Sequence, residues 1–172
     1  LKEAVLSENV VEIGNEVFAD CTELEKVTLQ EGLKKIGYSF IRNTAVKSLT
    51  VPTTVETIET VSDYYGNVYR GATDGAVQLE EVVFKTGMKK IPDCFCANYQ
   101  WNEGLVRVEI PESVEEIGHH AFAGCTGLEE INFVKEIGRI GYCAFFDCRS
   151  LKRIELQKNE KMVTGSDGKK AL

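Results

Sequence analysis

Residues 117–133 read IGHHAFAGCTGLEEINF. The stretch has two near-copies, IGNEVFADCTELEKVTL over residues 13–29 and IGYCAFFDCRSLKRIEL over residues 140–156. A fourth copy, IGYSFIRNTAVKSLTV from Ile36, is one residue shorter. A fifth, IPDCFCANYQWNEGLVRVEI from Ile91, has four extra residues between its Phe95 and the following Leu105 when measured against Phe122 and Leu128. Self-similarity at a fixed short period marks a repeat architecture, in which each unit is too small to bury its own apolar side and stacks on its neighbours instead.

One apolar frame runs through the chain. Strand-like triplets end at Leu6, Leu29, Val51, Phe84, Ile110, Phe133 and Leu156, at spacings of 23, 22, 33, 26, 23 and 23 residues. Four residues after the first six ends stand Val10, Leu33, Val55, Met88, Val114 and Ile137; three further on stand Ile13, Ile36, Ile58, Ile91, Ile117 and Ile140. After Leu156 the frame stops. Segments such as Leu24-x-x-Val27-x-Leu29 alternate inward and outward as strands do, so successive copies predict a parallel sheet at about 4.8 Å per strand. A phenylalanine follows most of the isoleucines by four or five residues (Phe18, Phe40, Phe95, Phe122, Phe145) and is expected to fill the opposite side of the coil. No helical stripe is long enough to cover that side, which predicts short turns or 3₁₀ segments. The expected fold is therefore a leucine-rich-repeat solenoid, mostly β, with a parallel sheet on one face. Residues 1–156 form the array of about six and a half repeats, with a long insertion near 60–78, and residues 157–172 form a Lys-rich tail or linker. Neither end reads as a polar cap, so further repeats or another domain are expected to flank the array.

The repeated I-G-x-x-A-F-x-x-C-x-x-L-x-x-I-x-(L/F) unit, with PESVEEIG over Pro111 to Gly118, resembles the BspA-like leucine-rich repeat family over roughly residues 1–156. That resemblance implies a bacterial or protist surface or secreted protein concerned with adhesion and partner binding.

Composition sets limits on function. Twenty-seven acidic against 20 basic residues give a net charge of -7, which argues against nucleic acid as a partner. No run approaches the roughly 20 apolar residues needed to span a bilayer. The chain contains no Gly-rich phosphate loop, no nucleophile elbow and no HExxH, and neither a cofactor nor a metal site is expected. Cys21, Cys125 and Cys148 each follow a phenylalanine by three residues, in a place taken by Asn43 and Asn98 after Phe40 and Phe95, which suggests one interior ladder shared by Cys and Asn. Cys94 is expected in a small-residue place with Ser39, Ala121 and Ala144. His119 and His120 read as ordinary turn residues. Outward strand positions mostly alternate in sign along the stack (Lys2, Glu25, Lys47, Glu80, Val106, Glu129, Lys152; and Glu3, Lys26, Ser48, Glu81, Arg107, Glu130, Arg153), which predicts cross-coil ion pairs on a solvated face.

The strongest departure from the repeat is VSDYYGNVYRGATDGA over Val61 to Ala76, some ten residues longer than a unit allows. It carries Tyr64, Tyr65, Tyr69 and Arg70; the extension in the next unit carries Tyr99 and Trp101. Adjacent units stack, so the two bulges should lie side by side. Tyr, Trp and Arg give large contact area with polar tips and suit stacking on sugar rings. Two readings stand: these six residues bind a protein or glycan partner on another cell or matrix, or they pack locally around the insertion. The expected function is a non-enzymatic recognition or adhesion module of a cell-surface or secreted protein, with a structural spacer that displays another domain as the alternative.

Overall fold

The computed structural model describes residues 1–62, 68–98, 103–132 and 137–154, with Ser62, Val68, Tyr69 and Asn132 as backbone only. Each coil has three sides. The first holds β1 (Glu3–Val5), β3 (Lys26–Thr28), β5 (Ser48–Val51), β9 (Glu81–Phe84), β11 (Arg107–Glu109), β13 (Glu130–Asn132) and β15 (Arg153–Ile154). The second holds two-residue strands: β2 (Glu12–Ile13), β4 (Lys35–Ile36), β6 (Thr57–Ile58), β10 (Lys90–Ile91), β12 (Glu116–Ile117) and β14 (Arg139–Ile140). The third side is made of hydrogen-bonded turns, with no helix among the described residues. Both strand sides pair in parallel between neighbouring coils, although among the described residues no ladder joins β3 to β5 on the first side. The second ladder was not expected from the sequence; it forms where each repeat isoleucine falls beside the next, Ile13 on Ile36 on Ile58, and Ile91 on Ile117 on Ile140.

Among the described residues no ladder joins β6 to β10. In regular coils a glycine just after the isoleucine donates its N–H to the isoleucine carbonyl of the coil before: Gly37 to Ile13 at 2.8 Å, Gly118 to Ile91 at 3.0 Å and Gly141 to Ile117 at 2.8 Å. Pro92 holds that place in the fourth coil and has no N–H to give to Ile58. The extra residues leave the ladder at this same point, as the antiparallel hairpin of β7 (Val61–Ser62) and β8 (Val68–Arg70). Leu79, fully buried like Leu24, Leu105 and Leu128, returns the chain to the repeat frame.

Inward residues of all three sides meet in one core. Burial is complete in the middle coils, at Ile36, Leu49, Val82, Ile91 and Ile117, and only partial at Ala4, Leu6 and Phe18 at one end and at Ile140, Phe145 and Leu151 at the other. In a one-dimensional stack each coil is covered by the coils beside it.

The single phenylalanine column separates into two. Counted from the isoleucine, Phe40 and Phe95 stand fourth, while Phe18, Phe122 and Phe145 stand fifth. Small residues complement them: Ala121 and Ala144 are fourth, Cys96 is fifth, and the Cys96 N–H bonds the Ala121 carbonyl at 2.7 Å. Large and small side chains thus interdigitate between coils. Phe84 from the first side reaches across to Phe95, with ring centroids 5.2 Å apart, and Phe122 stacks on Phe145 at 5.5 Å.

This change of frame corrects the cysteine ladder. Asn43 aligns with Asp20, Gly124 and Asp147, not with the cysteines, and all four have positive φ (52°, 61°, 77° and 58°). Asn, Asp and Gly are the residues that tolerate that backbone, so the column is a turn requirement. Asn98 belongs beside it, its N–H bonding the Ala123 carbonyl at 2.9 Å. The cysteine place instead accepts small donors. Cys125 Sγ donates to the Cys96 carbonyl at 3.4 Å, Cys148 Sγ to the Phe122 carbonyl at 3.1 Å, and Thr44 Oγ1 to the Ile41 carbonyl at 2.9 Å. Cys94 is likewise misplaced among alanines: with Glu16, Ser39, His120 and Cys143 it forms a second positive-φ column. Measured from the isoleucine, the unit that begins at Ile91 carries three surplus residues before Leu105, not four.

Candidate functional site

The first side presents charge that is largely neutralised within the array. Lys26 meets Glu3 at 2.7 Å, Lys47 meets Glu80 at 2.9 Å, Arg107 meets Glu81 at 3.3 Å, Lys152 meets Glu129 at 3.0 Å, and Lys2 approaches Glu25 at 3.9 Å. These are the cross-coil pairs expected from the alternating columns, and solvent screens each of them. No outward strand position of this face carries Tyr, Trp or His.

The third side is different. All six tyrosines, the tryptophan and both histidines fall in segments that run between a repeat isoleucine and the leucine or valine opening the next first side. Of the expected contact residues, Tyr64, Tyr65, Tyr99 and Trp101 lie outside the described residues, and Tyr69 is described as backbone within β8. Arg70, at the end of β8, is fully described. Its Nη1 is 3.1 Å from Glu16 Oε1, its Nε is 3.6 Å from Asp74 Oδ2, and its guanidinium lies 5.8 Å from the centroid of the Tyr38 ring. Asp74 is buried and accepts a hydrogen bond from Ser39 Oγ at 2.9 Å. Glu16 also lies 3.5 Å from Arg42 Nε, and Arg42 pairs with Asp20 at 2.8 Å. Arg70 is therefore held by its own fold, not offered to solvent as a bare cation. Nothing in the local sequence signals this, because Glu16 is 54 residues away.

The roots of the two lengthened segments meet. Arg70 forms an antiparallel bridge with Asn98, and the Gly71 N–H donates to the Ala97 carbonyl at 2.8 Å. Gly71 permits the approach: a Cβ there would lie 2.8 Å from the Ala97 nitrogen.

His119 is more than a turn residue. At three of the places second after an isoleucine, a side-chain acceptor takes a backbone N–H of the next coil. Asn15 Oδ1 accepts from Tyr38 at 3.0 Å, Asp93 Oδ1 from His119 at 3.2 Å, and His119 Nδ1 from Tyr142 at 2.8 Å. His120 packs edge-on against Tyr142, with ring centroids 5.6 Å apart. Burial, and then the neighbouring His119, hold the His120 imidazole below its usual range of about 6.5, with Asp93 opposing. The unfolded chain then takes up a proton before the folded one does. Stability is unaffected above about pH 6.5, falls as pH drops through that value, and stops falling below the folded pKa. Denaturant unfolding at pH 7.5 and pH 5 is expected to show a lower midpoint at pH 5, and His120→Asn, which tolerates the positive φ, is expected to shrink that difference.

All six cysteines are free. Burial pushes the Cys94 thiol up to about 11 and the Cys148 thiol up to about 12; contact with Cys96, then burial, pushes Cys125 well above the ordinary range. Little thiolate exists at these three positions at neutral pH, so none is an activated nucleophile. Among the described residues no group of three or more His, Cys, Asp and Glu side chains is placed to hold a metal ion.

Short coils with a leucine-bearing strand side, a second parallel ladder and a turn flank define a leucine-rich-repeat solenoid. The chain belongs to the BspA-type leucine-rich repeat family: the model of the BspA type leucine rich repeat region matches residues 1–100 and 94–166, in six copies. Among solved structures, a leucine-rich repeat protein from Bacteroides ovatus is 24% identical, with a TM-score of 0.55, over 88% of this chain and 42% of its own. A leucine-rich repeat protein from T. pallidum is 20% identical, also with a TM-score of 0.55, over 87% of this chain and 78% of its own. These likenesses concern the fold, and the chain spans less than half the length of the Bacteroides protein. No curated protein matches the chain significantly by sequence.

Proposed function

We propose that the chain is a non-enzymatic recognition module, an adhesion-type segment of a cell-surface or secreted protein that binds a protein or glycan partner through its third side. One observation carries this reading. Every tyrosine, tryptophan and histidine of the sequence falls in a segment between a repeat isoleucine and the next first side, the roots of the two lengthened segments meet at Arg70 and Asn98, and the first face is occupied by charges paired with one another. Family membership supports placement at the cell surface. Tyr64, Tyr65, Tyr69, Tyr99 and Trp101 are the proposed contact residues, with Arg70 at the root of the insertion engaged by Glu16 and Asp74.

Binding of the chain to immobilised matrix proteins and to a glycan array tests the proposal. Tyr65→Ala and Trp101→Ala are each expected to weaken the bound complex about tenfold or more, the range of an interface hot spot. Binding that survives both changes would remove the insertion and extension from the site. The spacer reading draws on the internal engagement of Arg70. It predicts that an unrelated solenoid of equal length can replace the array in the full-length protein with function intact.

A further inference from the structure

We propose that Arg70 is a positioning residue: with Glu16 and Asp74 it forms a latch that fixes the inserted hairpin against the first three coils. The insertion cannot be placed by repeat packing. It leaves the second ladder after Ile58, and that ladder does not continue into β10. Backbone bonds from Arg70 to Asn98 and from Gly71 to Ala97 tie the root of the insertion to the coil after it, and the ion pairs of Arg70 tie it to the coils before it. Arg70 stands at the last position of β8, so its side chain is the anchor nearest to the point where the hairpin rejoins the array. Glu16, two coils back, takes Nη1 at 3.1 Å; Asp74, four residues on, faces Nε at 3.6 Å; the Tyr38 ring lies against the guanidinium. The two carboxylates differ in kind. Asp74 is almost wholly buried, at 2% side-chain exposure, and is tied to Ser39, so it is a fixed post within the turn. Glu16 is 37% exposed and shared with Arg42, so its arm is open to solvent and salt. A planar guanidinium with several fixed donors can engage both at once, whereas an ammonium is a single point charge. The latch goes beyond the proposed recognition role and does not need it: it concerns how the hairpin is held, whatever the hairpin then touches.

Amide hydrogen exchange on the whole chain, followed peptide by peptide, tests the latch. Arg70→Ala is expected to speed exchange across residues 59–70 about tenfold or more, with the strands from Lys26 to Ile58 unchanged. Glu16→Gln, which alters no residue of the insertion, is expected to speed exchange in the same peptide by a smaller factor. The double variant should be no faster than Arg70→Ala alone, because the two groups act through one contact. Arg70→Lys should fall between parent and Arg70→Ala. Raising the salt concentration should speed the parent and leave Arg70→Ala as it was. Exchange over 59–70 that stays within about twofold of the parent in Glu16→Gln, or that rises equally along the whole chain in Arg70→Ala, would overturn the latch. Partner binding decides a separate question. If exchange behaves as expected while Tyr65→Ala leaves binding intact, the latch stands and the insertion loses its recognition role.

Discussion

Replacing Gly118 by alanine is expected to destabilise the array by about 2 kcal/mol, the ordinary cost of overpacking a filled site, while the same change at Gly14 is expected to cost nothing. Both glycines follow a repeat isoleucine and hold the same place in the motif. At Gly118 a Cβ would stand 2.6 Å from the Asp93 nitrogen and 2.8 Å from the Asp93 Cα, backbone atoms that cannot swing aside. Gly141 is in the same position against the backbone of Gly118 and His119. At Gly14, in the first coil, nothing lies within 4 Å. Neither Gly118 nor Gly14 has a positive φ, so the close approach of the preceding coil, not backbone freedom, decides the difference. Removing a glycine's freedom in the unfolded chain favours alanine by a few tenths of a kcal/mol or more, so Gly14→Ala should be neutral or mildly stabilising. Thermal unfolding checks this: Gly118→Ala should lower Tm by about 4–8 °C for a chain of this size, and Gly14→Ala should leave it level or raise it slightly. Equal effects at the two sites would refute the close-packing account of the repeat glycine.

Phe122→Ala is expected to cost more, about 4 kcal/mol, within the range for deleting a buried phenyl ring. Phe122 is fully buried and packs against two other layers: Phe84 of the first side at 6.4 Å between centroids and Phe145 of the next coil at 5.5 Å. Truncation leaves a cavity that no single neighbour can fill, because each is fixed by its own coil. Cys148 also donates to the Phe122 carbonyl, so a backbone shift there loosens the next turn. In a stack held by nearest-neighbour contacts the loss should be felt first by the coils that follow. Exchange protection in residues 137–154 is expected to fall before that of residues 24–58. Phe146→Ala, at a side chain 64% exposed, is expected to change stability by less than about 0.5 kcal/mol. If both variants were equally mild, the core would not depend on this column.

Much of this was legible in the residues. The seven strand ends and the alternating charges translate directly into the first-side strands and the first-face ion pairs, because a periodic pattern needs only a period to be read. The reading failed where two periods compete. Aligning on phenylalanine placed Asn43 with the cysteines and Cys94 with the alanines; aligning on isoleucine places both in positive-φ columns. Phenylalanine is interchangeable between two neighbouring inward places as long as a small residue answers it in the next coil, whereas the isoleucine is pinned by its ladder. The candidate site was legible only as composition. Tyr and Trp in an insertion announce contact area, but the occupation of Arg70 by Glu16 and Asp74 has no signature in the insertion itself.

The sequence alone determined that this chain is a solenoid, where its coils begin, and which side chains face the core, since apolar periodicity and strand alternation are local properties summed along the chain. Only the tertiary structure decided that Gly118 is closely approached by the coil before it while Gly14 is not, that a second ladder exists and breaks at Pro92, and that Arg70 is a strut. Each of these depends on which backbone lies about 5 Å away in the next coil, and that neighbour is some 23 residues distant in the chain or, for Glu16 and Arg70, 54.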